Sequence, residues 1–251
     1  MINILLSGCN GKMGQVITRL ASQKDNLKIV AGHDVSDSIK NTYPVFTDLR
    51  DCDIKPDVII DFSDPAAFNS LLEFSLSRRI PLVMATTGLS QSQVNALEAA
   101  SDRIPVFFSA NMSLGVNLLI DLVKKASKIL GDNFDIEIVE KHHNQKIDAP
   151  SGTALAIADA INSVLTQKHE YVYDRHSRRK KRRANEIGIH AVRGGTIVGE
   201  HSVIFAGNDE IIEINHTAMS KDIFGIGALK AAEFLYGKKP RLYGMKDLIG
   251  Q

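Results

Sequence analysis

Residues 3–34 constrain the fold of this chain more than any other stretch. A short apolar strand at residues 3–7 is followed by the glycine-rich sequence GCNGKMG at residues 8–14 and by a helical pattern of apolar residues. A second strand at residues 27–32 leads to Asp34, which lies 20 residues beyond Gly14. In a dinucleotide-binding unit, such glycines let the backbone approach a pyrophosphate at the helix N-terminus, and an acid after the second strand accepts a hydrogen bond from a ribose hydroxyl. The spacing therefore favours a dinucleotide site over a purely structural glycine turn.

The alternation of strand and helix continues as far as residue 108. It indicates a doubly wound, Rossmann-type parallel sheet, whose ligands bind at the carboxyl ends of the strands. Two of these ends carry small polar loops, ATTG at residues 85–88 and SANMS at residues 109–113, which are candidate walls of the cofactor site, although such loops are often only turns. The predicted strands are 58–62, 81–85 and 104–108, and the predicted helices are 65–77 and 91–100.

The pattern changes after residue 111. A long amphipathic helix at 114–130 opens a region of mixed topology, in which three later β-type runs are expected to form hairpins with glycine-containing turns. A final helix at 222–235 is expected to return to the first domain, so the fold is predicted to be α/β with an inserted α+β domain. The β-type runs are 186–192, 196–205 and 210–217. The predicted domains are residues 1–111 with 217–251, which bind the dinucleotide, and the inserted residues 112–216.

Chemically active side chains are densest at residues 140–153, EKHHNQKIDAPSGT, which are predicted to span a strand end, a loop and a helix start. A histidine such as His142 can give or take a proton near neutral pH, and Lys146 adds a cation in the loop. His143 points away from His142 on a strand, so both face one ligand only if the strand has ended there. Backbone N–H groups of residues 151–153 would lie at the positive end of the helix dipole. The motif therefore predicts a site for a small anionic substrate with a proton donor beside it.

Simpler interpretations of this motif remain open. The D-x-P-S sequence is often only a helix cap, and paired histidines are often structural. A metal site at Glu140, His142 and His143 is disfavoured because the spacing matches no zinc-binding pattern and the two cysteines lie far away, so no metal is expected. Ser151 as a nucleophile is disfavoured because PSGT lacks the G-x-S-x-G pattern.

Composition argues against several functional classes. The net charge of +1 argues against a nucleic-acid-binding protein, and the basic run at residues 178–183 is interpreted as a solvated loop because six successive cations cannot be buried unpaired. Nucleic-acid binding by this run is less favoured because no aromatic residues interleave with it. Cys9 and Cys52 provide no disulfide framework, which suits a reducing cytosol. Neither a signal segment nor an apolar run of about 20 residues is present, so no membrane span is expected. Arg193 is a candidate to bind an anionic substrate.

The sequence E-x-H-H-x-x-K-x-D-A-P-S-G-T-A at Glu140 to Ala154 resembles the signature of the 4-hydroxy-tetrahydrodipicolinate (dihydrodipicolinate) reductase family of the diaminopimelate route to lysine. The sequences GCNGKMG, ATTG, NMSLGVN, EIGIHAVRGGTIVGEH and GMKDLI extend the resemblance over nearly the whole chain. The resemblance implies an enzyme that uses NADH or NADPH to reduce a cyclic, imine-like dicarboxylate to tetrahydrodipicolinate. It also implies a cytoplasmic homotetramer that is assembled through the inserted domain, which would bind the substrate.

The resemblance also assigns roles to particular residues. His142 would be the main proton donor and Lys146 would assist or also donate, while His143, Gly152 and Thr153 would hold a substrate carboxylate. The residues implied to line the cofactor are Gly8, Cys9, Asn10, Gly11, Lys12, Met13, Asp34, Ala85, Thr86, Thr87, Ser109, Ala110, Asn111 and Met112.

One departure from the family pattern concerns the choice of cofactor. Family members often carry an arginine directly after the ribose-binding acid, where it can meet a 2′-phosphate, and this chain has Val35 there. Asp34 would repel that phosphate, so we expect NADH to be used at least as well as NADPH, although Lys12 and His33 remain candidates to bind the phosphate. Two other functions remain open, namely an amino-acid dehydrogenase of the aspartate type and a redox-sensing regulator that binds the dinucleotide without turnover.

Overall fold

The chain forms two compact units in a computed structural model that describes residues 1–250, with the backbone alone at residue 132. The first unit comprises Met1–Leu114 and the chain from Asp222 onward, and the second comprises Gly115–Lys221. The second unit is therefore inserted into the chain of the first, and the boundaries at 112 and 216 expected from the sequence lie a few residues earlier. No helix among the described residues combines the length and the apolarity needed to cross a bilayer.

The elements are numbered in chain order. The strands are β1 Ile2–Ser7, β2 Leu27–His33, β3 Val45–Phe46, β4 Val58–Asp61, β5 Leu82–Met84, β6 Pro105–Phe108, β7 Asp135–His142, β8 Glu170–Val172, β9 Glu186–Arg193, β10 Gly199–Ala206, β11 Ile211–Ala218 and β12 Arg241–Tyr243. The α-helices are α1 Lys12–Ala21, α2 Phe68–Arg78, α3 Gln91–Ala100, α4 Leu114–Leu130, α5 Gly152–Asn162, α6 Asp222–Leu235 and α7 Met245–Ile249.

The first unit is built on a seven-stranded sheet in the order β12-β6-β5-β4-β1-β2-β3, with every pair parallel. Its central strands are mostly apolar because both faces are covered. Ile4 and Leu6 of β1 pack in a cluster that includes residues of α1 and α6, while Leu5 packs in a second cluster with α2 and α3. All three side chains are fully buried, and each such burial contributes about 1.5–3 kcal/mol. The predicted doubly wound sheet is confirmed.

Side-chain caps mark the start of two helical segments of this unit. Ser90 and Gln93 form a reciprocal capping box at the start of α3, which begins and ends at the predicted residues. The helix predicted from residue 65 starts instead with a 3₁₀ turn at Pro65–Ala67, because Asp64 caps that turn through the N–H of Ala66. The short strands β3 and β12 add edges to the sheet that the sequence pattern did not predict.

The second unit has a mixed sheet in the order β11-β10-β7-β9-β8. The predicted hairpin of β10 and β11 is confirmed, but the hairpin expected between β9 and β10 is wrong, because β7 lies between them. The connection through Gly194 and Gly195 passes over the end of β7, since Gly194 N–H donates to His142 O and Asn144 N–H donates to Gly195 O. These two glycines therefore hold the end of β7 and do not form a hairpin turn.

One face of this sheet packs against α4 and α5. The core contains Ile136 and Ile138 of β7 together with residues of α4, α5, β9 and β10. Because side chains alternate along a strand, the same face of β7 continues from these isoleucines to Glu140 and His142. Two polar side chains thus occupy buried positions at the end of an otherwise apolar stripe.

The basic run at residues 178–183 lies in a loop before β9, and its first four side chains are exposed, as predicted. Arg178 and the last two have carboxylate partners from neighbouring strands, and Arg178 pairs with Glu170. Arg182 pairs with Asp135 and Glu137, and Arg183 pairs with Glu170 and Glu186. This part of the run therefore fastens the loop to the sheet.

Candidate active site

The first unit has a cavity of about 520 Å³ beside the start of α1 and the residues that follow β4, β5 and β6. Eight of the residues expected to line the cofactor line this cavity: Gly11, Lys12, Met13, Ala85, Thr86, Thr87, Ala110 and Met112. Phe62, Ser63 and Phe224 also line it and were missed. Phe62 and Ser63 directly follow β4, and their position at the carboxyl end of a parallel strand is a signal that could have found them. Phe224 lies on α6, and its sequence carries no such signal.

The space around each glycine of the loop at residues 8–14 shows whether the loop can accommodate a pyrophosphate. A Cβ on Gly14 would lie 2.2 Å from Gly8 O, and one on Gly8, whose φ is +77°, would lie 2.4 Å from Phe62 O, so these two glycines are required by the chain itself. A Cβ on Gly11 would meet only Gly8 O, at 3.3 Å, so internal packing does not require this third glycine. Helix α1 also begins without a side-chain cap. Uncapped N–H groups behind a glycine that lines a cavity form a suitable anion cradle.

Asp34 lies beside this loop, as the spacing predicts. Its Oδ2 accepts a hydrogen bond of 2.9 Å from the backbone N–H of Asn10, which joins the end of β2 to the glycine loop. Val35 is 93% exposed, and no cation follows the acid. His33 is buried with Nδ1 at 3.2 Å from Ser7 Oγ, and burial lowers the pKa of His33, so it is neutral near pH 7 and poorly suited to bind a phosphate. Lys12 is exposed and lines the cavity.

The other six residues expected to line the cofactor do not line this cavity: Gly8, Cys9, Asn10, Asp34, Ser109 and Asn111. The Cys9 side chain is fully buried, and burial together with the charge of Asp34 raises the pKa of the thiol to about 12, so only its backbone can face a ligand. Ser109 Oγ donates to Asn111 O, and Asn111 Oδ1 accepts from the N–H of Ser113, which fixes the loop after β6.

A buried carboxylate ties two of the cavity loops together. Asp61, at the end of β4, is 1% exposed and accepts hydrogen bonds of 2.6 Å from both the Ser63 and the Thr86 hydroxyls. The loops that follow β4 and β5 are therefore joined through one side chain, which the sequence pattern did not single out.

The second unit places a carboxylate and an imidazole together on β7. Glu140 is fully buried, and its Oε2 lies 2.6 Å from His142 Nδ1. Glu140 Oε1 accepts from the N–H of Ser151, and both oxygens accept from Arg193 at 2.7 Å. Burial would raise the pKa of Glu140, but the hydrogen bonds from Arg193, His142 and Ser151 outweigh it and hold the pKa below its usual value. Glu140 is therefore an ionised hydrogen-bond acceptor behind His142.

A second histidine packs against this pair. His201 of β10 is 5% exposed, and its ring meets that of His142 edge to face with centroids 5.2 Å apart. Burial, followed by the proximity of His142, lowers the pKa of His201 to about 4, so His201 is neutral near pH 7. Its Nε2 lies 3.1 Å from Ser151 Oγ, which also accepts from the N–H of Ala154 at the start of α5. His201 belongs to the EIGIHAVRGGTIVGEH motif, but its place beside His142 was not predicted, because it depends on the pairing of β10 with β7.

The other residues expected to bind substrate lie in the loop and helix start that follow β7. The strand ends at His142, so His143 lies in the loop, which is the condition for both histidines to face one ligand. Lys146 Nζ lies 2.7 Å from Asp148 Oδ1. Helix α5 begins at Gly152 with Ser151 as its cap, and a Cβ on Gly152 would meet nothing within 4 Å. The Ser151 N–H is occupied by Glu140, so it is not available to the expected three-residue cradle. Between residues 1 and 250, no group of three or more His, Cys, Asp or Glu side chains is arranged to hold a metal ion.

Comparison with known protein families decides the assignment. Residues 2–112 match the family model described as dihydrodipicolinate reductase, N-terminus, and residues 115–249 match the model of the C-terminus. The chain belongs to the dihydrodipicolinate reductase family. The family, the Rossmann-type fold with a second mixed-sheet domain and the reductase activity predicted from the sequence are confirmed.

Individual members of the dihydrodipicolinate reductase family resemble the chain over nearly its full length. The 4-hydroxy-tetrahydrodipicolinate reductase of Caldanaerobacter subterraneus subsp. tengcongensis is 57% identical, covering 99% of this chain and 98% of the relative. That of Clostridium tetani is 50% identical, covering 99% and 97%. The solved structure of a dipicolinate-bound dihydrodipicolinate reductase from Paenisporosarcina sp. TG-14 matches with a TM-score of 0.82 at 26% identity, covering 98% of this chain and 99% of that one.

Proposed function

We propose that this reductase converts 4-hydroxy-tetrahydrodipicolinate to tetrahydrodipicolinate with His142 as the proton donor. The observation that carries the proposal is the buried Glu140–His142 pair beside the start of α5. The reaction adds one hydride and one proton to an imine-like dicarboxylate, and water leaves from the hydroxylated carbon. The reduced nicotinamide supplies the hydride, which leaves negative charge on the substrate. A protonated imidazole near that charge relieves it by donating the proton.

The substrate carboxylate is assigned to the start of α5. The first-turn N–H groups of a helix favour an anion, and the open space around Gly152 leaves room for one. Thr153 and His143 are assigned to the same carboxylate. Lys146, whose Nζ contacts Asp148 Oδ1, adds a cation that suits binding of an anion or donation of a second proton.

The dinucleotide is assigned to the cavity of the first unit. The N–H groups at the start of α1 would hold the pyrophosphate, and Asp34 would accept a hydrogen bond from the ribose. Because no cation follows Asp34 and His33 is neutral, we propose that NADH is used at least as well as NADPH. Asp34→Ala should raise the ratio of kcat/KM for NADPH to that for NADH, because the repulsion of a 2′-phosphate is removed. An unchanged ratio would contradict the role given to Asp34.

The assembly is assigned to the second unit, which would form a homotetramer in the cytoplasm. Ile211 and Val192 are 65% and 44% exposed on its sheet strands, and the free thiols of Cys9 and Cys52 suit a reducing compartment. Sedimentation equilibrium of the full chain should give four times the mass of one chain. A monomer at assay concentration would contradict this assignment.

A coupled assay tests the reaction. Aspartate semialdehyde and pyruvate are condensed by the upstream synthase, and absorbance of NADH or NADPH is followed after the protein is added. Oxidation should depend on the synthase, and His142→Gln should abolish most turnover while cofactor binding is retained. His190→Gln is the matched control, because His190 pairs with Glu137 on the same sheet and has no part in the proposed site. A folded protein that oxidises neither cofactor would refute the proposal.

A further inference from the structure

We propose that Glu140 and Arg193 are positioning residues for His142. Glu140 fixes the ring and the tautomer of His142 so that Nε2 exchanges the proton, and Arg193 holds Glu140 and balances its charge. The inference rests on the proposed role of His142 as the proton donor. It replaces the expectation from the sequence that Arg193 binds the anionic substrate directly.

The hydrogen bonds of Arg193 commit the four N–H groups on Nη1 and Nη2 to the protein. Nη1 donates to Glu140 Oε2 and Val192 O, and Nη2 donates to Glu140 Oε1 and Asp148 O, at distances between 2.6 and 2.8 Å. A guanidinium has five N–H groups, so four are committed by these contacts. The fifth, on Nε, is buried with no partner among the described residues. Arg193 is therefore directed at the protein itself.

The partners of Glu140 determine the tautomer of His142. The carboxylate has about four acceptor positions, and four donors occupy them: two from Arg193, one from the Ser151 N–H and one from His142 Nδ1. A guanidinium and a backbone N–H can only donate, and the lowered pKa of Glu140 keeps the carboxylate ionised. His142 Nδ1 must therefore carry a hydrogen. The other nitrogen, Nε2, is the one left to transfer a proton.

The space around Nε2 agrees with this orientation. No described residue makes a hydrogen bond to His142 Nε2, and a Cβ on Gly199 would lie 3.0 Å from it. Glycine at position 199 therefore prevents a side chain from covering the nitrogen. Glu140 also links this orientation to the substrate cradle, because it binds the N–H of Ser151, the cap of α5.

The charges that face His142 balance in pairs. Glu140 on β7 is paired with Arg193 at the end of β9, and Lys146 in the following loop is paired with Asp148. On the sheet side, His201 of β10 is neutral near pH 7, and so is His216, its cross-strand partner on β11, whose pKa is lowered by burial. Removing one member of the Glu140–Arg193 pair therefore leaves one uncompensated charge near His142, with a sign that depends on which member is lost.

The pH dependence of kcat/KM tests this arrangement with two opposite substitutions. Activity that requires a protonated donor falls as pH rises. In Glu140→Gln this alkaline fall of kcat/KM should move to lower pH, because the anion that favours the protonated ring is gone. In Arg193→Met it should move to higher pH, because the charge of Glu140 is then uncompensated. Each displacement should be about one pH unit or more. We expect kcat of Glu140→Gln to fall by a factor between about 10 and about 10⁴, as when another residue that orients a histidine is lost.

The control uses a similar group on the other side of the same strand. Glu137 accepts hydrogen bonds from His190, Arg175 and Arg182, so Glu137→Gln breaks a comparable Glu–His–Arg cluster away from His142. In Glu137→Gln, kcat/KM should fall on the alkaline side at the same pH as in the wild type. Displacement in the same direction for Glu140→Gln and Arg193→Met, or no displacement in either, would overturn the proposal.

A measurement on the unsubstituted protein covers the case in which a variant fails to fold. Nitrogen NMR of the imidazole rings, assigned by the signals lost in His142→Gln, should show neutral His142 with its hydrogen on Nδ1. A hydrogen on Nε2 would overturn the proposal even if the enzyme were active. Conversely, an Nδ1–H tautomer in a protein without turnover would leave the positioning role intact and refute the proposed function instead.

Discussion

Substitution by alanine should have different effects at two glycines of the predicted cofactor loop, lowering stability at Gly14 and cofactor binding at Gly11. In Gly14→Ala the new Cβ would lie 2.2 Å from Gly8 O and 2.5 Å from Cys9 O, both of which are backbone atoms that cannot rotate away. Overpacking of this kind costs about 1–3 kcal/mol or more. With a loss of about 2 kcal/mol, the midpoint of thermal unfolding should fall by roughly 4–8 °C for a chain of this length.

Gly11→Ala should leave the stability of the protein nearly unchanged and weaken the binding of the cofactor. Gly11 has φ −69° and ψ 166°, which alanine adopts without strain, and its Cβ would meet one atom at 3.3 Å. The smaller entropy of the unfolded chain contributes about 0.4–1 kcal/mol in favour of the variant, which offsets that contact. The methyl group would lie where the pyrophosphate meets the N–H groups of α1. Loss of one hydrogen bond to a charged group, about 1.5–3 kcal/mol, corresponds to roughly a 10- to 150-fold weaker Kd.

Thermal unfolding and calorimetric titration with NADH measure the two effects on the same samples. Equal losses of stability in the two variants would contradict the difference in packing between Gly14 and Gly11. If Gly11→Ala bound NADH as tightly as the wild type, the pyrophosphate would not lie against this glycine, and the assignment of the cradle would fail.

Two further predictions concern the stability of the two units. Near pH 7 His201 is neutral in the folded and the unfolded chain, but as pH falls from 6.5 to about 4 the unfolded chain takes up a proton at this residue that the folded protein resists. Over that range the free energy of unfolding should therefore fall by roughly 3 kcal/mol more in the wild type than in His201→Gln. Urea unfolding at several pH values measures the difference. Thr86→Val removes a donor from the buried carboxylate of Asp61 and should cost about 1–3 kcal/mol in urea unfolding, whereas Thr86→Ser should retain most of the stability; equal losses would contradict this role for the hydroxyl.

The sequence predicted the parts of the fold that depend on local signals. The helices Gln91–Ala100, Leu114–Leu130 and Asp222–Leu235 have the predicted bounds, because an apolar period and, in α3, a capping box mark them locally. The glycine loop and Asp34 also lie together as predicted, since one βαβ unit positions both. Strand pairing is different. The placement of β7 between β9 and β10 depends on contacts between residues about 50 to 70 positions apart, which no local pattern reports.

The candidate site shows the same limit at the level of single side chains. Strand alternation alone places Glu140 on the same face of β7 as His142, so this pair is predictable from the sequence. The partner of Glu140 was not accessible, because Arg193 is 53 residues away and reaches it only through the pairing of β7 with β9. Without that pairing, an arginine near an anionic site is naturally assigned to the substrate. In the structure it pairs instead with Glu140, the buried carboxylate beside His142.

The two Glu–His–Arg clusters on β7 show why residue types alone do not define a catalytic group. Glu137 binds His190, Arg175 and Arg182, as Glu140 binds His142 and Arg193, and both carboxylates have a lowered pKa. The clusters differ in what surrounds them. Glu140 is fully buried and holds the cap of α5, where an anion is favoured, whereas the Glu137 side chain is 21% exposed and helps to fasten the basic loop. Comparing Glu140→Gln with Glu137→Gln therefore separates the chemistry of the cluster from that of its surroundings. Only the first substitution should alter the proton transfer.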